Sequence, residues 1–150
     1  MKKTIITTLL ISSIAVHGNA ADGLVNVQST FNVKETANRL ESILNEKGMT
    51  VMNRIKHSES AGKVDIELRD TQLIIFGNPE VGSLLMQCQQ SVAIDLPLKA
   101  LIWQDDKGTV WISYNDPRYL EKRHKITGCE KVLAKIEKAL AEIAKSASAE

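Results

Sequence analysis

The sequence predicts an α+β fold, a two-layer sandwich with a largely antiparallel sheet and helices on one face. Three observations predict it. Segments of strict apolar–polar alternation sit beside segments of helical spacing. The strand-like segments are joined in pairs by short turns, which favours antiparallel pairing. The elements follow one another in the order β-α-β-β-α-β-β-α.

The first element is a strand at Val25–Phe31, where Val25, Val27 and Ser29 alternate with Asn26 and Gln28. Asn32 is a helix cap with Glu35 three residues on, the spacing of a capping box. Val33, Ala37, Leu40, Ile43 and Leu44 then recur at helical spacing, and Gly48 ends that helix. A second strand follows at Met49–His57, and Ser58–Gly62 is expected to turn. Val64, Ile66 and Leu68 alternate with Asp65, Glu67 and Arg69, which predicts a strand with one wet face. Leu73–Phe76 is more apolar and more central.

The strand stops at Gly77. Asn78 and Pro79 open a helix to about Gln89, which is expected to bury Val81, Leu84, Leu85 and Cys88. Leu98–Tyr114 is a hairpin turning at Asp106-Lys107-Gly108. That register sets Trp103 opposite Trp111, with Ala100, Ile102, Ile112 and Tyr114 on the other face. A short helical stretch follows Asn115-Asp116-Pro117. Thr127, with Glu130 completing a capping box, is expected to cap the last helix, whose stripe is Val132, Leu133, Ile136, Leu140 and Ile143.

Residues 1–20 stand apart from this pattern. Lys2 and Lys3 precede an uncharged, mostly apolar run, and Gly18-Asn19-Ala20 supplies small residues. That is the pattern of a secretory signal peptide, cut after Ala20 with Ala21 as the alternative. The run is too short for a bilayer span of about 20 apolar residues. No other stretch could span a membrane. Residues 21–150 then form a single α+β domain of ordinary size. Without Lys2 and Lys3 the 19 basic residues become 17 against 18 acidic ones. Such a balance carries no electrostatic footprint for nucleic acid.

Secretion directs attention to Cys88 and Cys129. In an oxidising compartment they can form a structural disulfide. Alternatively they stay as two thiols, or serve redox chemistry through Cys129, where the first turn of a helix favours the thiolate. The spacing of His57, His124, the cysteines and the methionines matches no metal or covalent haem signature. No cofactor is required, the metal is unknown, and copper or haem iron on a folded His, Met and Cys set stays an alternative. His57 at a strand end, with Tyr114, Asn115 and Asp116, forms a candidate polar site. No Gly-x-Ser-x-Gly elbow is present to support hydrolase chemistry. Trp103 and Trp111 are candidates for an aromatic platform or a subunit contact.

Phe76-Gly77-Asn78-Pro79, Gly82, Leu85-Met86, Leu96-Pro97-Leu98 and Tyr114-Asn115-Asp116-Pro117, with His57 ahead of them, resemble the bacterial and archaeal domain of unknown function 302 family. The likeness covers about residues 27–144. The family's usual Gly-Thr appears here as Gly82-Ser83, which keeps a hydroxyl. The resemblance implies a two-layer α/β fold in the order given above and members that can dimerise, and it implies no agreed activity. It marks His57, Asn78, Met86 and Asn115 as motif positions of unknown role.

The resulting expectation is a secreted or periplasmic binding domain, non-enzymatic rather than catalytic. It would take a small ligand or a partner through the open sheet face and the region near His57 and Met86, with Asn78, Tyr114, Asn115 and Asp116 as further candidate ligand-binding residues. The alternatives are a thiol-redox or metal- or haem-associated protein using Cys129 and Cys88 or His57, and a structural homodimer joined through Trp103 and Trp111.

Overall fold

The computed structural model describes residues 23–150; the expected leader, with its expected cut after Ala20 or Ala21, lies outside the described residues. Five strands form one antiparallel sheet: β1 (Leu24–Ser29), β2 (Thr50–Lys56), β3 (Thr71–Gly77), β4 (Leu98–Gln104) and β5 (Val110–Asn115). Their spatial order is β1-β5-β4-β3-β2, and every pairing is antiparallel. The helices are α1 (Val33–Glu46), α2 (His57–Gly62), α3 (Pro79–Cys88), α4 (Pro117–His124) and α5 (Glu130–Ser148). A 3-10 turn over Gln90–Asp95 links α3 to β4.

The core lies between the sheet and the helices α1 and α5. Ile74, Phe76, Ala100, Ile102, Ile112 and Tyr114 point from the sheet toward Leu40 and Leu44 of α1 and Leu133, Ile136 and Ile143 of α5. Period two on the strands and period 3.6 on the helices place these residues on facing surfaces. Both long helices bury the stripes expected of them, apart from the partly buried Ile43 and Val132. Asn32 caps α1, with its Oδ1 accepting the Glu35 backbone N–H at 2.9 Å. The hairpin closes as the sequence requires. Trp103 pairs with Trp111, and Gly108 takes a φ of 81°.

Four expectations need correction. Val64–Arg69 is not a strand but an irregular, exposed segment, with Val64 64%, Ile66 59% and Leu68 47% exposed. No strand pairs with it, and the left-handed Asp65 at φ 59° breaks the extended path. Ser58–Gly62 belongs to the short helix α2 rather than to a turn. Leu84, 44% exposed, and Cys88 are both exposed rather than buried; the face of α3 that turns inward carries Leu85. Finally, α5 begins at Glu130 with Cys129 as its capping residue, two positions beyond Thr127. Gly128 at φ 78° redirects the chain there, and Glu130 Oε1 accepts the Gly128 N–H at 2.8 Å.

Candidate functional site

An apolar cleft opens where several elements end together. β3 stops at Gly77, and Asn78 turns the chain into α3 with its Oδ1 accepting the backbone N–H groups of Glu80 at 2.9 Å and Val81 at 3.3 Å. Pro79 fits the first helical position, where no N–H is needed. Leu96 and Pro97 lead into β4 beside this junction, Met49 and Met52 come from the start of β2, and Lys135, Ile136, Ala139 and Leu140 come from α5. Together they enclose about 350 Å³, within the range of small-molecule sites. The walls are carbon and sulfur, apart from polar groups of Asn78, Ser83 and Lys135.

Two glycines keep the cleft open. Gly82 sits inside α3, where glycine costs about 1 kcal/mol relative to alanine. Its φ is not in the left-handed region, and a Cβ added there would meet only Leu96 Cδ1, at 3.8 Å. Neither backbone conformation nor crowding requires a glycine at this position. What its missing side chain leaves is space in the cleft. Gly77 repeats the pattern: an added Cβ would meet Pro97 Cβ at 3.7 Å and Met52 Cε at 3.8 Å.

Met49, Met52 and Met86 all line this one cleft, and Met1 is the chain's remaining methionine. Unbranched thioethers adapt to irregular apolar shapes. The ladder between β2 and β3 shifts register between Val51 and Asn53, leaving Met52 as the unpaired residue. Bulges of this kind re-aim a side chain.

The ends of the two helical walls are joined covalently. Cys88 closes α3, Cys129 precedes α5, and the two are bonded with their Cα atoms 6.3 Å apart. Cys129 is buried while Cys88 is exposed.

The predicted polar residues divide into three places. Asn78 and Met86 line the cleft. Tyr114, Asn115 and Asp116 end β5: Tyr114 is buried in the core, Asn115 pairs with Leu24, and Asp116 Oδ1 caps α4 through the Arg118 N–H at 2.8 Å. Burial raises the Tyr114 phenol above its ordinary value, and the negative charges of Asp116 and Glu137 raise it further. His57 is exposed at the far end of β2. From Met52, the nearest cleft residue on β2, the strand carries it roughly 16 Å away at about 3.3 Å per residue, and β3 and β4 separate β2 from β5. The structure therefore does not bring His57 to Tyr114, Asn115 and Asp116. Among the described residues no group of three or more His, Cys, Asp or Glu side chains is placed to hold a metal.

One polar array had no warning in the sequence. His124 Nε2 contacts Asp95 Oδ2, its Nδ1 lies 3.0 Å from Ser91 Oγ, and Arg123 donates to Asp95 Oδ1 at 3.2 Å. Ser91 is exposed and does not line the cleft. The array braces the 3-10 turn against α4.

Trp103 and Trp111 share the sheet face away from α1 and α5, opposite in orientation to Ala100 and Ile112. Trp103 Nε1 donates to Ser113 Oγ at 2.8 Å. Trp111 Nε1 donates to Asp105 Oδ2 at 2.9 Å, and Asp105 Oδ1 accepts the Lys107 and Thr109 N–H groups at 2.9 and 2.8 Å. The Trp111 bond foremost, then the two backbone bonds, hold the Asp105 carboxyl below its ordinary value of 3.8. A depressed carboxylate contributes stability above its unfolded value and loses it as the pH falls through the folded value. The Trp111 indole N–H resonance should therefore shift on acidification with a midpoint below pH 3.8. In Asp105→Asn that acid-dependent movement should vanish; a midpoint above 3.8 in the parent protein would contradict the assignment.

Comparison with known proteins adds three findings. The profile of the family described as "Domain of unknown function DUF302" matches residues 25–143. Two curated relatives, both called fluoride-specific ion channel FluC 1, come from Brucella suis biovar 1 (strain 1330) and Brucella abortus biovar 1 (strain 9-941). Each is 42% identical over 104 residues, covering 69% of this chain and respectively 41% and 38% of the relative. This chain thus spans about two fifths of the length of those relatives. The crystal structure of an uncharacterized conserved DUF302 protein from Bacillus stearothermophilus superposes with a TM-score of 0.76. It is 23% identical and covers 85% of this chain and 99% of that one.

Proposed function

The chain belongs to the DUF302 family, and from that premise we propose that it is a non-enzymatic binding protein acting outside the cytoplasm, with its ligand seated in the cleft between α3 and α5. The observation that carries this reading is Gly82, a helix-interior glycine whose only evident effect is to leave room. A position that costs stability without a folding reason is explained by use. The family-like residues Gly77, Asn78, Pro79, Gly82, Met86, Leu96 and Pro97 all line that one space. Its adaptable methionine wall suits an apolar ligand of modest size.

The leader-like first twenty residues and the Cys88–Cys129 bond support an oxidising compartment. The fluoride-channel name of the Brucella relatives contributes nothing to the proposal. The chain covers only part of them, and among the described residues no helix is long and apolar enough to cross a membrane. The test is a titration of methionine methyl resonances with dodecanol, an uncharged apolar probe. Saturable movement of the Met49, Met52 and Met86 signals is the expected outcome.

A further inference from the structure

The residues that line the cleft carry a single charge, a positive one, although the exposed Glu80 stands between the lining residues Pro79 and Val81. Lys135 lines it directly and is the charged residue among its walls. Lys131 and Lys138 stand four residues before and three residues after it on α5, which places all three on one ridge of the helix. All three are exposed, and none takes part in an ion pair among the described residues. Their acidic neighbours are engaged elsewhere: Glu137 pairs with Arg118 at 3.0 Å and Glu142 with Lys47 at 3.7 Å. Polar donors at the same cleft point the same way. Asn78 spends its Oδ1 on the helix cap, which leaves its NH₂ group as a donor. Ser83 adds a hydroxyl. A lysine can lay its methylene stem along an apolar wall and keep its ammonium in water at the edge.

An apolar slot with a cationic rim matches a molecule of one shape and charge. Resting on the cleft as the ligand site, we propose that the ligand is a single-chain amphiphilic anion of the fatty-acid class. Its hydrocarbon chain lies among Met49, Met52, Met86, Leu96 and Leu140, and its carboxylate faces Lys135 and the Asn78 amide. The chain supplies burial at about 25 cal/mol per Å². The head group supplies direction, because a carboxylate exposed to water at the rim loses little solvation on binding.

Three probes of equal chain length separate this from simple greasiness: dodecanoate and dodecyltrimethylammonium below their micelle concentrations and dodecanol below its solubility limit, each titrated calorimetrically at neutral pH. Dodecanoate should bind about tenfold more tightly than dodecanol, and the cation more weakly than either. Lys135→Gln should bring dodecanoate to the level of dodecanol, weakening dodecanoate far more than dodecanol, and Lys135→Glu should reverse the preference toward the cation. Equal affinity for dodecanoate and dodecanol in the parent protein would overturn the anionic assignment and leave the cleft as an apolar site. A dodecanoate preference that survives in Lys135→Gln would overturn the role of Lys135. Failure of all three probes to bind would overturn the cleft reading itself.

Discussion

Replacing Cys88 and Cys129 together by alanine should lower the unfolding free energy by about 4 kcal/mol. The bond links residues 41 apart in sequence, and closing a loop of that length in the unfolded chain accounts for roughly that amount. For a domain of this size the loss corresponds to a fall of about 15 °C in Tm. Thermal unfolding of the double variant, and of the parent protein under reductant, should give the same shift. A loss of less than about 1 kcal/mol would mean that the reduced chain is already held by other contacts. The consequence extends to the site. The bond joins the end of α3 to the start of α5, so it fixes the separation of the cleft's two helical walls. Ligand binding should weaken in the double variant even at temperatures where it remains folded.

Gly82→Leu should do the reverse: abolish ligand binding while leaving the fold intact. Leucine is the better helix former by about 0.5–1 kcal/mol, and its Cβ meets only an ordinary contact, Leu96 Cδ1 at 3.8 Å. The rest of the side chain occupies the cleft. Binding of dodecanol should fall below detection and Tm should stay level or rise. A substitution that unfolds the protein would show that Gly82 is there for packing. One that folds and still binds would place the ligand elsewhere. Gly23 is the contrast: its φ is 81°, and an added Cβ would lie 2.4 Å from the Tyr119 ring, so a side chain there should disturb the fold.

The sheet and its two long helices were legible in the sequence because their periodicities are unambiguous. Ile74 and Phe76 alternate, while Leu40, Leu44, Leu133 and Ile136 recur at helical spacing. Val64, Ile66 and Leu68 alternate equally well, yet no strand pairs with them, and alternation alone cannot supply a partner. Asn78 and Met86 were marked by the family resemblance as motif positions of unknown role, and both line the cleft; Met49, Met52 and Lys135 were not marked. They reach the cleft from β2 and α5, and only the tertiary arrangement joins these elements to α3. Gly82 did carry a local signal, since a glycine inside a helical pattern asks for a reason. The grouping of His57 with Tyr114 rested on residue chemistry, and the strand order places two strands between their elements. His124, Asp95 and Ser91 met for the same reason the others did not: α4 folds back against the 3-10 turn, a contact without any sequence periodicity.

The most direct test of the cleft as a ligand site is the spectrum of the methionine methyl groups, labelled with carbon-13 and assigned by single substitution, during addition of dodecanol. If the ligand sits between α3 and α5, the Met49, Met52 and Met86 signals move together to a common saturation point. The same addition to Gly82→Leu moves none of them. Three signals that stay fixed up to the solubility limit of dodecanol, or that drift without saturating and do so equally in Gly82→Leu, would contradict a ligand site in this cleft.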